Sequence, residues 1–279
     1  MAFSFAIIVL FGLIISALFK KIRLPGLLGM LILGILIGPY ALNLLDESIL
    51  NISSDLRSIA LIVILLRAGL GISKEDIIDI GATSVKMSII PGIIEGCVIA
   101  FISTKLLDFT IIQGGMLGFI ICAVSPAVIV PSMLKFIDKG VGKEKKIPTL
   151  ILASASIDDV IAITIFSTFL GLYGGDKVNI GIQIFSIPLS IILGIGLGLG
   201  IGLIIYYILT TYTVEKPKMA LILLSVAIIF NSLEKVLENK IKIATLIGVM
   251  AMGYIILEKN QDLAKKLSGS FSNIWVLAE

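Results

Sequence analysis

The sequence contains no histidine. Histidine metal sites, histidine general bases and Ser–His or Cys–His nucleophilic catalysis are therefore excluded together. Charge is scarce as well. Asp, Glu, Lys and Arg make up 15% of the 279 residues, against about 25% in soluble domains. Cysteine is confined to Cys97 and Cys122, both within apolar runs. A free thiol in such a run behaves as a small hydrophobe, so neither a disulfide nor a redox role follows. The net charge of +3 is small and implies no nucleic-acid partner. No cofactor is expected.

What fills the chain instead is apolar: 58% of residues are hydrophobic and the mean hydropathy is +1.13. No single soluble core could hide that much apolar surface. A soluble enzyme, a nucleic-acid binder and a disordered chain are excluded, and an all-α polytopic membrane protein remains. A spanning helix needs about 20 residues. The apolar runs place nine transmembrane helices at about 3–19, 24–42, 56–72, 81–107, 111–137, 148–172, 184–209, 218–233 and 243–257. The tail, 262–279, starts polar and turns apolar only at Ile274, and 273–279 reads as the start of another helix. Lys20, Lys21 and Arg23 follow the first run rather than precede it, so it is a retained span and not a cleaved signal.

Local residues explain several boundaries. Pro25, Pro148 and Pro217 stand at or just before the first turn of a span, where a missing N–H costs nothing. Asp55, just before the third span, suits the positive end of a helix dipole. Gly194, Gly196, Gly198, Gly200 and Gly202 alternate along the seventh. Alternate positions do not share one helix face, so close helix packing is expected there without a simple GxxxG seam. The odd-numbered loops carry fourteen Lys and Arg and the even-numbered loops six. That places the odd loops in the cytoplasm and the N-terminus outside.

Ionisable groups inside a bilayer mark function, and few exist here. Asp158 and Asp159 stand at the centre of the sixth span, with about ten mostly apolar residues on each side. Successive helical residues differ by about 100° in direction. The two carboxylates therefore cannot both face one ligand in the same way; one faces a pathway, the other a neighbouring helix or a second charge. A carboxylate poised to hold either a proton or a cation meets the chemical requirement of a cation/proton exchanger. In the fifth span, Pro126 frees the carbonyl of Cys122 and Pro131 that of Ala127. Ser125 and Ser132 stand beside them. Broken helices put free carbonyls and dipole ends at midplane cation sites. Glu95 lies mid-span in the fourth run, either near the site or paired with a basic residue such as Lys86. Arg67 and Lys86 lie close enough to span ends to snorkel.

These motifs together resemble the monovalent cation:proton antiporter family. The likeness begins at Arg23-Leu24-Pro25-Gly26 and runs to Gly38-Pro39 in the second span. It continues through Leu66-Arg67-Ala68-Gly69, Ala123-Val124-Ser125-Pro126-Ala127, Asp158-Asp159, Ala251-Met252-Gly253 and Trp275 with Glu279. The resemblance implies that Asp159 is the main ion- and proton-binding carboxylate and Asp158 its partner, an aspartate pair being typical of electrogenic members. Cys122, Ser125, Pro126, Ala127 and Pro131 would supply broken-helix ligands, with Glu95, Ser154 and Ser156 just outside them. It further implies Na⁺ or K⁺ exchanged for H⁺, two inverted repeats, an elevator motion against a dimerisation domain, a homodimer and residence in the plasma membrane. Residues 1–80 would hold spans 1–3, 81–172 the first half of the ion-binding core, 173–209 a connector, and 210–279 the start of the second repeat. Ser125 stands where electroneutral members often carry an acid. The family continues past the position of Glu279 with further spans, a second broken helix and a basic partner for the aspartates. The chain is thus expected to be an N-terminal portion with little exchange of its own, or a dimer partner. A cation channel subunit and an intramembrane aspartyl protease are the remaining readings. The latter needs its aspartates on two helices and a Gly-x-Gly-Asp sequence, which does not occur here.

Overall fold

The computed structural model describes residues 2–142, 144–174, 180–212, 215–237 and 242–278. For Asp76, Pro126, Ala127, Ile180, Lys216, Lys235 and 276–278 it describes the backbone only. Lys143, Lys177 and Lys240 of the loop-charge count, and Glu279, lie outside the described residues. Among the described residues there are eleven α-helices and no strand. They are α1 (Ala2–Lys21), α2 (Gly26–Ile37), α3 (Glu47–Gly69), α4 (Lys74–Leu106), α5 (Ile111–Ile121), α6 (Pro126–Asp138), α7 (Ile147–Tyr173), α8 (Ile180–Thr211), α9 (Lys216–Leu237), α10 (Thr245–Lys259) and α11 (Gln261–Ala278). Six of them, within α1, α3, α4, α7, α8 and α9, are long and apolar enough to cross a membrane. The protein is a multi-pass membrane protein.

The chain divides into two compact units, residues 1–60 with 276–279 and residues 61–275. In the first, α1 is apolar all round and buries only Ser4 and Ser16. It packs on α2 through glycines: a Cβ at Gly29 would stand 2.7 Å from Ile15 and Phe19 side chains. Pro25 is the N-cap of α2, and the Ser4 hydroxyl accepts from the Asp46 N–H at 3.1 Å.

In the second unit α4, α5 and α7 pack on one another, α6 on α7, α8 on α7 and α10, and α9 on α10. Leu152, Leu223, Phe230, Met252, Ile256 and Phe271 are fully buried. The glycines of α8 correct the sequence expectation. Gly194, Gly198 and Gly202, four residues apart, form one face against α10. A Cβ on the first would collide with the Ala244 carbonyl, on the second with Gly248 backbone, and on the third would stand 2.9 Å from the Met252 Cα. Gly196 and Gly200 face open space. An alternating run of five thus contains a strict i, i+4, i+8 seam.

Three boundaries also differ from expectation. The third helix starts at Glu47, not 56, so Asp55 lies inside it and Glu47 takes the first turn. Ser53 and Ser58 donate to carbonyls of their own helix, at 2.7 and 3.0 Å, which lets this polar stretch stay helical. The fourth helix starts at Lys74, not 81. There the Glu258 carboxylate accepts the Lys74 N–H at 3.1 Å, and Lys146 pairs with Asp79 at 2.7 Å. The tail is helical from Gln261, not 273. The Asn260 side chain accepts the Leu263 N–H at 2.9 Å, and Leu263, Leu267, Phe271 and Trp275 form a buried stripe.

Candidate functional site

The expected break in the fifth span occurs between α5 and α6. Cys122 caps α5, its N–H bonded to the Gly118 carbonyl at 3.0 Å. Residues 123–125 leave the helix, and α6 restarts at Pro126. Proline crowds the residue before it out of the α region. Ser125 accordingly is extended, with φ −67° and ψ 116°, and its side chain caps nothing. Pro131 is buried within α6.

Asp158 meets this break. Its side chain is buried, with the residue 7% exposed, and its carboxylate faces the Val124 N–H. The contact with the broken helix is therefore through a backbone donor. On the other side Asp158 lies over Gly92 of α4, where a Cβ would stand 2.5 Å from Oδ1. A cavity of about 160 Å³ opens beside it, lined by Pro91, Gly92 and Glu95 of α4, Cys122 and Val124 at the break, Ile129 of α6, and Ile151, Ser154 and Ala155 of α7. Among the described residues no Lys or Arg lines it. Glu95 faces this cavity and makes no ion pair with Lys86 among the described residues. The two lie nine residues apart on one helix, about 13 Å along its axis. Lys86 lies well inside α4 rather than at its start. Arg67, in the last turn of α3, pairs with Asp138 at the end of α6 at 3.8 Å.

Asp159 faces elsewhere. It lines a separate cavity of about 130 Å³, with Ser156, Thr164 and Ser167 of α7, Ser190 of α8, Glu234 of α9, and Lys242 to Leu246 before and within α10. The 100° offset between neighbours has thus divided the pair between two chambers. The chambers extend in opposite directions along α7. Asp158's cavity runs back to Ile151, whereas Asp159's runs on to Ser167. Bulk water occupies about 30 Å³ per molecule, so each has room for a monovalent ion with some of its hydration.

The serines divide in the same way. Ser154 lines the Asp158 chamber and spends its hydrogen on the Leu150 carbonyl at 2.7 Å, leaving the oxygen as an acceptor. Ser156 lines the Asp159 chamber, with its hydroxyl directed to the Leu152 carbonyl at 3.3 Å and Met250 Sδ at 3.9 Å. Cys122 lines the Asp158 chamber while its thiol points to the Phe119 carbonyl at 3.7 Å. Among the described residues, Ser125 and Pro131 line neither cavity. The side chains of Pro126 and Ala127 lie outside the described residues. Sequence reasoning missed Pro91, Gly92, Val124, Glu234, Lys242 and Thr245. Pro91, a proline inside an apolar run, and Glu234, an acid near a span end, were available signals; Val124 contributes only backbone and carries none.

A family model described as "Sodium/hydrogen exchanger, transmembrane" matches residues 6–279. The chain belongs to that family. This exchanger chain is 44% identical over 179 residues to Sodium/hydrogen exchanger 9B2 of Bison bison bison, covering 60% of this chain and 33% of that protein. It is 44% identical over 152 residues to the Homo sapiens protein of the same description, covering 53% of this chain and 28% of that protein. The chain therefore spans about a third of the length of the curated relatives it matches. Its fold is similar to that of the sodium proton antiporter MjNhaP1 from Methanocaldococcus jannaschii, with a TM-score of 0.71 at 20% identity. That match covers 98% of this chain and 66% of the antiporter. Exchangers are transporters and not enzymes, and the aspartyl-protease reading is set aside.

Proposed function

We propose that the protein exchanges a monovalent cation, Na⁺ or K⁺, for H⁺ by alternating access, with Asp159 as the principal ion- and proton-binding carboxylate and Asp158 as its partner. The observation that carries this reading is the pair of chambers, which reach two adjacent carboxylates from opposite directions along α7. A carrier needs a site approachable from both sides without a continuous pore. Two chambers divided by one helix meet that requirement better than a channel does. Ser154 and Ser156 offer neutral oxygens beside each carboxylate. Cys122 and Glu95 complete the Asp158 chamber. We further propose, from the family resemblance, that the exchanger is a homodimer in the plasma membrane, and from the loop-charge asymmetry that its N-terminus is outside.

The test is cation-driven relief of an imposed pH gradient, read by a pH dye in proteoliposomes containing the full-length exchanger. Asp159→Asn is expected to abolish it. Exchange retained in that variant, or a single-channel conductance in place of proton counterflow, would overturn the proposal.

A further inference from the structure

A third cavity, larger than either chamber, opens between α4, α7 and α8, with a volume of about 770 Å³. Its walls include Ile89 and Ile93 of α4, Ile157 and Leu172 of α7, and Gln183 and Ile192 of α8. Among the described residues that line it, only Thr164, Thr168 and Gln183 have polar side chains. The two hydroxyls donate within their own helix, to the Val160 carbonyl at 2.7 Å and the Thr164 carbonyl at 2.8 Å. A held water needs several polar partners, so this cavity does not retain water. Each of the three helices contains a segment long and apolar enough to cross a membrane, and Ile89, Ile184 and Ile192 are exposed. The cavity therefore borders lipid. It also has a direction. Gln183 to Ile192 is about 13 Å of helix and Leu172 back to Ile157 about 22 Å, against roughly 15 Å for the hydrocarbon of one leaflet. Its polar end lies where α7 stops and α8 starts. There the Lys242 Nζ donates to Gln183 Oε1 at 3.0 Å. An ammonium has three hydrogens, and Gln183 takes one.

We propose that this groove binds one glycerophospholipid, with an acyl chain between α4, α7 and α8 and the phosphate on the Lys242 ammonium. Each end of the groove selects its part of the ligand. The wall is apolar over the depth of a leaflet, which fits a hydrocarbon chain. The cation stands at the end where a membrane presents phosphate, and a lysine at a membrane surface attracts anionic headgroups. Thr164 lines this groove and the Asp159 chamber alike, so the bound chain closes an apolar flank of that chamber. Binding itself does not depend on Asp159 being the ion site.

The experiment uses the delipidated full-length exchanger in maltoside micelles, which supply no phosphate. Phosphatidylglycerol with a diazirine in one acyl chain is added at rising mole fraction, and cross-links are mapped by mass spectrometry. A diazirine near the ester should label around Leu172 and Gln183, and one near the terminal methyl around Ile157 and Ile192. Both should saturate, whereas α1, apolar all round, should label in proportion to the probe. Unlabelled phosphatidylglycerol should displace the probe, and diacylglycerol, which has the chains without the phosphate, should need about fivefold more. Lys242→Gln should weaken the probe by a similar factor, and Ile187→Trp, which fills the groove, should remove groove labelling. Saturation and displacement are read on the parent protein, so they decide the matter where a variant fails to assemble. Groove labelling as unsaturable as that of α1 means bulk lipid only and overturns the site. An unlabelled groove means that another protein segment fills it and overturns the site too. Equal displacement by diacylglycerol overturns the role of the phosphate. Asp159→Asn should label as the parent does, and exchange surviving in that variant overturns the ion-site reading while the lipid site stands.

Discussion

Gly92 and Asp158 contend for one volume: a Cβ on Gly92 would stand 2.5 Å from the Asp158 Oδ1. The atom in the way is the tip of a side chain, so it can rotate aside. Gly92→Ala is therefore expected to displace the carboxylate from the Val124 N–H rather than unfold the helix pair. Exchange should fall about tenfold or more, the cost of losing an oriented charged group, while the melting temperature in detergent changes by only a few degrees. A variant with full exchange would show that Asp158 need not sit over α4.

Asp158→Asn and Asp159→Asn should part company. An asparagine at 158 still offers an oxygen to the Val124 N–H, so the break keeps its contact while one titratable group is lost. Some exchange is expected to remain but to lose its response to an imposed membrane potential, measured with valinomycin and a potassium gradient. Asp159→Asn should give no exchange at any potential. Loss of exchange in both variants alike would mean that the two chambers do not have separate roles.

The chambers also predict sidedness. Ser154 and Ser167 belong to the same helix but to opposite chambers. Cysteines at these two positions, in right-side-out and inside-out vesicles, should react with a membrane-impermeant maleimide from opposite faces. Labelling of both from one face would contradict the arrangement.

A matched set of alanines tests the glycine seam. Gly198→Ala would drive a methyl into Gly248 backbone of α10, and backbone cannot rotate away. A loss of about 1–3 kcal/mol is expected from such overpacking, read as a lower melting temperature. Gly196→Ala and Gly200→Ala meet open space and should be neutral within about 0.5 kcal/mol. Equal effects at all three would remove the seam.

How much of this was legible in advance depended on the physical signal involved. The break at Cys122–Pro126 was legible because proline acts on its own backbone and on the residue before it. The aspartates were legible because charge in an apolar run is rare, and their division between chambers follows from 100° per residue. Gly92 and Val124 were not, since a missing side chain and a backbone N–H leave no mark on composition. The starts at Glu47 and Lys74 were missed because they depend on partners distant in sequence or on hydroxyls turned inward. The start of the tail was misread because its apolar residues up to Phe271 recur every fourth position and form a run only from Ile274. The seam in α8 was hidden by two further glycines interleaved with it.

The Glu258 carboxylate that receives the Lys74 N–H has a consequence for biosynthesis. It lies 184 residues later in the chain. At about 5–20 residues per second, α4 leaves the ribosome roughly ten to forty seconds before its terminal acceptor does. The N-terminal end of the helix that carries Gly92 and Glu95 therefore gains this acceptor only after α10 has been made.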